Sequence, residues 1–234
     1  MRLFELAAED REIRFSPFVW RTKLALAHKE LDYEAVPVGF LEKEAFASSG
    51  SRTVPVLEDD GRWIAQSWDI ACYLEDRYSD RPSLFGSAEG RALCRHLVNT
   101  IDITLLPRVF LLIVADIPKI LSDADAAYFR KTREARIGSP LESTIERRPR
   151  NIERLAKLLV PFERTFSEQP FICGERPAYG DYALFGLFQW ARLVSPVKVL
   201  PEQTMLREWY QRMIGLYDGL AEQAKGFRDI KPGK

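Results

Sequence analysis

Phe15-Ser16-Pro17-Phe18-Val19-Trp20-Arg21-Thr22-Lys23-Leu24-Ala25-Leu26-Ala27-His28-Lys29 is the stretch on which the reading of this chain turns. Serine is a favoured N-cap, and proline suits the first helical position, where its missing N–H had no partner to lose. Phe18, Leu24, Leu26 and Ala27 then give one apolar face, so a helix is predicted from Ser16 to about Lys29. Upstream, Leu3-Phe4-Glu5-Leu6 reads as a short strand, followed by a polar loop from Ala8 to Arg14. Downstream, Tyr33-Glu34-Ala35-Val36-Pro37-Val38 reads as an edge strand because of Pro37. Val54-Pro55-Val56-Leu57 and Trp63-Ile64-Ala65 form two more strands around the turn Glu58-Asp59-Asp60-Gly61. Ser67 then caps a helix to about Tyr78, with Ile70, Ala71, Leu74 and Tyr78 on one face.

The pattern changes at Asp80-Arg81-Pro82-Ser83-Leu84-Phe85-Gly86. Beyond this segment no strand signal stands out. Leu93, Leu97, Ile101 and Leu105 recur every four residues as a helical stripe that Pro107 is expected to kink. Further helices are predicted at 124–136, 151–168, 179–194 and 205–224. The resulting division is an α/β domain over 1–80, a linker over 81–86 and an all-helical domain over 87–234.

Composition narrows the function classes. Among 234 residues, 34 Lys and Arg balance 34 Asp and Glu, so no global charge draws the chain to nucleic acid or an anionic membrane. Arg130-Lys131-Thr132-Arg133 and Arg147-Arg148-Pro149-Arg150 are interleaved with acids and read as solvated helix faces. Cys72, Cys94 and Cys173 form no CxxC pair, and His28 and His96 complete no metal-ligand spacing; reduced, mostly buried thiols and no metal are expected. The N-terminus turns charged too early for a signal peptide, and the apolar run Val109 to Ala115 is too short to cross a bilayer. A soluble cytoplasmic protein is the expectation. There is no Ser-His-Asp order, phosphate loop or dinucleotide fingerprint.

What remains is a hydroxyl at a helix mouth. Ser16 sits beside unpaired backbone N–H groups and the positive end of the helix dipole, a ready place for an anion such as a thiolate. The same geometry serves a plain cap. Gln66-Ser67 presents a second helix N-terminus, suited to a carboxylate or, again, to nothing more than capping.

In this order and spacing, the Ser16-Pro17 helix, Val54-Pro55 and Gln66-Ser67 resemble the glutathione transferase superfamily, in which a thioredoxin-like domain precedes a helical one. The run Ser16 to Lys29 more narrowly resembles the bacterial lignin β-aryl etherases and the fungal transferases related to them. Val54-Pro55-Val56, Asp59-Asp60-Gly61, Ser67-Trp68-Asp69-Ile70-Ala71, Tyr78-Ser79-Asp80-Arg81-Pro82 and, more loosely, Gly180-Asp181-Tyr182-Ala183-Leu184 extend the likeness.

The resemblance implies that glutathione is the co-substrate and that Ser16 is the catalytic group, holding the glutathione sulfur. It implies a cis Val54-Pro55 bond whose main chain holds the cysteinyl part, and Gln66 and Ser67 on the γ-glutamyl end. Thr53 stands where many relatives carry a basic residue for the glycyl carboxylate, and Arg52 beside it is the replacement. Phe18, Trp20, Phe110, Phe188 and Trp190, with Phe185 and Gln189, are candidates for an aromatic acceptor site. Ala178 leaves half of a capping box empty before Asp181. Homodimerisation is expected by resemblance. Cleavage of β-aryl ethers is one implied activity; a non-catalytic binder of aromatic compounds and an interaction module are the alternatives.

Overall fold

The computed structural model describes residues 1–230. The strands β1 (Arg2–Leu6), β2 (Glu34–Val38), β3 (Val56–Asp59) and β4 (Arg62–Ala65) form one sheet in the order β2-β1-β3-β4. β1 runs parallel to β2 and antiparallel to β3, and β3 and β4 form the expected hairpin. Pro37 does lie on an edge strand, where its missing N–H costs no ladder bond. Leu3 and Leu57 face helices α1 (Pro17–His28) and α2 (Ser67–Arg77), while Phe4, Val38 and Val56 pack on Phe46 of a 3-10 segment, Lys43–Ser49. Lys29, wholly buried at the end of α1, ties it to α2 through Glu75 (2.7 Å) and the Tyr78 carbonyl (3.1 Å).

The remainder is helical: α3 (Ala88–Thr100), α4 (Leu106–Ile113), α5 (Asp123–Ile137), α6 (Arg148–Glu168), α7 (Tyr179–Val194) and α8 (Met205–Ile214). This is a thioredoxin-like domain followed by an all-α one. The last four residues of the expected 87–234 domain lie outside the described residues. α7 is buried at every position except Arg192, as befits the central helix of a bundle. Leu84 and Phe85 of the linker are also buried, and the Leu84 carbonyl accepts the Tyr179 N–H (3.0 Å).

Several expectations are corrected. The irregularity at Pro107 takes the form of one widened π turn, Ile101–Leu105, in which the Leu106 N–H reaches the Ile101 carbonyl. Leu93 is 72% exposed and does not join Ile101 and Leu105 in the core. A four-residue repeat overshoots the helical turn by about 40° per step, so a long stripe drifts off the buried face. The run Ala88–Ile113 is long and apolar enough by composition to cross a bilayer, unlike the shorter run picked out from sequence; its Ile101, Leu105, Val109 and Leu112 are buried in the protein. α6 starts at Arg148, with Pro149 in its first turn. The helix expected over 205–224 stops at Ile214, because Tyr217 and Asp218 adopt positive φ (53° and 55°). The Tyr217 hydroxyl bonds the Tyr182 hydroxyl, which also meets His28 Nδ1 at 2.5 Å, holding the turn against α7 and α1.

Two features dock α7 on α1. A Cβ on Gly186 would lie 2.6 Å from the Pro17 carbonyl oxygen, so only glycine allows the approach. The Arg21 guanidinium, 1% exposed, pairs with Asp102 through two bonds of 3.1 and 2.5 Å. The mouth of α1 is thereby fixed against the helical domain. Before α7, Asp181 accepts the Ile172 and Ala178 N–H groups and the Trp209 indole N–H. Ala178 offers no side-chain acceptor in return, and its backbone carbonyl takes the Asp181 N–H instead (2.9 Å).

Candidate active site

Ser16 caps α1 as its sequence predicts. Its backbone is extended (φ −63°, ψ 128°), and Oγ accepts the Val19 N–H at 3.4 Å. The hydroxyl proton has no acceptor among the described residues and stays available to donate. The loop before it is pinned by the Trp20 indole N–H, which donates to the Arg14 carbonyl at 2.8 Å. Below, wholly buried Glu5 pairs with Lys23 (3.1 Å) and Arg14 (3.4 Å).

A cavity of about 340 Å³ opens at this point, between the sheet domain and α4, α5 and α7. That volume is of small-molecule size. Its sheet-domain wall holds Ser16, Phe18, Arg52, Thr53, Val54 and Gln66. The Val54–Pro55 bond is cis, and neither the N–H nor the C=O of Val54 is taken by another group among the described residues. Gln66 N–H donates to the Pro55 carbonyl (3.2 Å). Gln66, not Ser67, occupies the cap position of α2, with φ 73° and ψ 131°. A non-glycine residue in that region costs about 1–3 kcal/mol and is characteristic of ligand sites.

Of the remaining predicted site residues, Phe110 and Trp190 line the opposite wall, while Pro55, Ser67, Trp20 and Phe188 do not border the cavity. Pro55 is buried behind Val54. Ser67 is the first residue of α2; its hydroxyl makes no cap bond, and its carbonyl takes the Tyr179 hydroxyl at 2.7 Å. Trp20 is 1% exposed and spends its indole on the loop. Phe188 packs edge-on against Trp209, Phe185 packs on Trp209 and Tyr210, and Gln189 donates to the Ala221 carbonyl. These are core residues.

Sequence reading missed much of the helical wall. Tyr128, Phe129, Arg133 and Arg136 on α5 border the cavity, as do Phe40 and Lys43 from the segment after β2. Phe40 is held in place by Asp125, whose carboxylate accepts the Phe40 and Leu41 N–H groups (both 3.1 Å) and lies so near Gly39 that a Cβ there would collide with it. Asp125 is 85 positions from Phe40 in sequence, so nothing local to Gly39-Phe40 signals this contact. The basic cluster divides: Arg130 pairs on the surface with Glu134 and Glu142, as a solvated face should, but Arg133 lies over the Phe129 and Phe40 rings (4.7 and 5.3 Å). Among the described residues, no group of three or more His, Cys, Asp or Glu is placed to hold a metal; the three cysteines are free, but only Cys94 is buried, with Cys72 half-buried and Cys173 exposed.

Comparison with known proteins agrees with this fold. Residues 15–77 match the glutathione S-transferase N-terminal domain and residues 92–210 its C-terminal domain. The chain belongs to the glutathione S-transferase family. It is similar to a glutathione S-transferase zeta class protein of Euphorbia esula, 32% identical over 38% of this chain and 41% of that one. It is similar too to a maleylacetoacetate isomerase of Dictyostelium discoideum, 30% identical over 38% of this chain and 43% of the relative. The match thus spans about two fifths of the length of these curated relatives. Among solved structures, glutathione transferase GSTFuA3 from Phanerochaete chrysosporium superposes with a TM-score of 0.75 at 25% identity, over 93% of this chain and 91% of that one. The transferase CsGST63524 of Ceriporiopsis subvermispora, solved in complex with glutathione, shares the fold with a TM-score of 0.79 at 19% identity, over 93% and 96% of the two chains.

Proposed function

We propose that this glutathione transferase family member holds the glutathione sulfur at Ser16 as a thiolate and directs it at an aromatic electrophile in the adjoining cavity. One observation carries the reading: the Ser16 hydroxyl accepts from its own helix and keeps its proton for a ligand, at a helix N-terminus that opens on an aromatic-lined cavity. A free thiol has a pKa of about 8.5 and is mostly protonated near neutrality. A donated hydrogen bond and the helix dipole both favour the charged form. Val54 offers main-chain groups to the cysteinyl unit, Gln66 and the α2 N-terminus face the γ-glutamyl end, and Arg52 takes the glycyl carboxylate.

On binding, the thiol proton passes to solvent. The sulfur lone pair forms a carbon–sulfur bond to the electrophilic carbon, and the leaving group departs with the electrons of its broken bond. Phenolate, whose conjugate acid resembles tyrosine with a pKa of about 10, leaves with little acid assistance. This makes β-aryl ethers suitable electrophiles, in keeping with the resemblance of Ser16 to Lys29. A homodimer belongs to the same reading; Leu93 and Ile103, 72% and 75% exposed on one helical run, are apolar surface of the kind a second copy covers.

The test is turnover of chlorodinitrobenzene and of an aryl ether releasing a fluorescent phenol. Loss of a hydrogen bond to a charged atom costs about 1.5–3 kcal/mol, so Ser16→Ala should lower kcat about ten- to a hundredfold while the KM for glutathione changes less. Unchanged kcat would remove Ser16 from the mechanism. Tight binding of aromatic compounds with no turnover would favour the non-catalytic binder.

A further inference from the structure

The cavity is far more basic than the chain around it. The whole sequence has a formal net charge of zero, yet the cavity wall includes Lys43, Arg52, Arg133 and Arg136 and no aspartate or glutamate. None of these four cations pairs with a carboxylate among the described residues. Lys43 makes one long contact with the Tyr128 hydroxyl (3.4 Å) and lies 5.3 Å from that ring. Arg136 lies 5.7 Å from the Phe110 ring. Arg133, half-buried, donates to the Thr132 hydroxyl (2.8 Å) and has the Tyr128 hydroxyl as a second polar neighbour.

Arg133 is the informative member. Its guanidinium lies against Phe129 and Phe40, a geometry that satisfies a cation over ring faces but leaves most of the in-plane N–H groups for a ligand, one being given to Thr132. Burial, together with the neighbouring Arg136 charge, weakens its hold on its proton. A partly desolvated cation with no carboxylate partner gains more from an anionic ligand than a paired or fully solvated one does. Other buried or half-buried arginines spend their N–H groups within the protein: Arg21 on Asp102, Arg148 on Asp116, and Arg192, which also lacks a carboxylate, on Gln189 and the Ala221 and Ala224 carbonyls.

Glutathione does not exhaust this charge. In the proposed reading its glycyl carboxylate goes to Arg52 and its other carboxylate to the α2 N-terminus, both on the sheet-domain wall. Phe129, Arg133 and Arg136 fall on one face of α5, on the acceptor side, among Phe40, Tyr128 and Phe110. We infer that the acceptor substrate is an aromatic compound bearing a carboxylate, that Arg133 is the residue selecting for it through charge-assisted hydrogen bonds, and that Arg136 adds longer-range attraction. The inference rests on the transferase reading for the word substrate; the anionic aromatic subsite itself does not.

The experiment pairs an acid with its neutral counterpart. Chlorodinitrobenzoate and its methyl ester, each corrected for uncatalysed reaction with glutathione, are compared in wild type, Arg133→Met and Arg133→Lys, with melting temperatures to confirm folding. Naphthoate and naphthamide binding is measured by calorimetry without glutathione. In wild type the acid should be preferred in both assays. Arg133→Met should lower the acid-to-ester ratio of kcat/KM about ten- to a hundredfold, the range for a lost charge-assisted bond. The ester should lose less than the acid, Arg133→Lys should restore part of the ratio, and added salt should weaken the preference. Equal losses for acid and ester, or a raised KM for glutathione with an unchanged ratio, would overturn the inference and leave the transferase reading intact. No conjugation of either electrophile, with naphthoate still favoured through Arg133, would overturn the transferase reading and keep the subsite.

Discussion

The two walls of the cavity are built on different principles. The sheet-domain wall acts largely through backbone, with the helix mouth at Ser16, the cis peptide at Val54–Pro55 and a strained cap at Gln66, to which the Ser16 hydroxyl and Arg52 are added. The helical wall acts through side chains: Phe110 stacked on Trp190 at 6.3 Å, and Arg133 laid over Phe129 and Phe40. Backbone groups cannot be exchanged by substitution, so the first wall suits a co-substrate common to a whole family. Side chains can be exchanged freely, so the second suits an acceptor that differs from member to member.

The strongest way to break this division is to loosen the seam between the walls. Gly186→Val forces side-chain atoms into the Pro17 carbonyl. It should cost about 3 kcal/mol, lower the melting temperature by several degrees and raise the KM for both substrates; a loss confined to one substrate would mean that the walls work independently of their docking. A sharper cut is Gln66→Ala. Removing its side-chain hydrogen bonds should raise the KM for glutathione about three- to tenfold and leave the acceptor KM unchanged in steady-state assays. Phe110→Ala should do the opposite, raising the acceptor KM about threefold, the worth of one aromatic contact.

This contrast also explains how far the sequence could be read. Ser16-Pro17 announces itself because a cap is written in neighbouring residues; the cis Val54–Pro55 bond is legible only through the family resemblance, and the cap expected at Ser67 falls one residue earlier, at Gln66. The helical wall is not local. Phe188 and Trp190 are both aromatic, two residues apart on α7, and only Trp190 reaches the cavity; the choice depends on how α7 is rotated against α1 and α4. Trp20 lies inside the most informative stretch and is core. Arg130 and Arg133 share one basic run, yet glutamates claim the first and aromatic rings the second. The break after Ile214 was hidden for a similar reason, since the Tyr217 hydroxyl is held by Tyr182, thirty-five positions away in sequence.

The smallest expected effect concerns the seam at His28. Burial lowers its pKa from 6.5, so the unfolded chain binds the proton more readily. Its contribution to stability is present above pH 6.5 and is lost as pH falls through the lowered folded value. Asp181 acts in the opposite sense. Burial raises its pKa to about 6, so its contribution is full below 3.8 and is lost as pH rises through 6. Urea midpoints between pH 7 and 5 should therefore fall less in His28→Gln than in wild type; parallel curves would show that His28 does not titrate against folding.

The central claim concerns one proton on one sulfur. Thiolate absorbance of the glutathione complex, followed in the ultraviolet against pH, reads it directly. In wild type the absorbance should rise well below the free-thiol pKa of about 8.5, and in Ser16→Ala the midpoint should move back toward that value. Superimposable titrations of the two proteins would contradict the account.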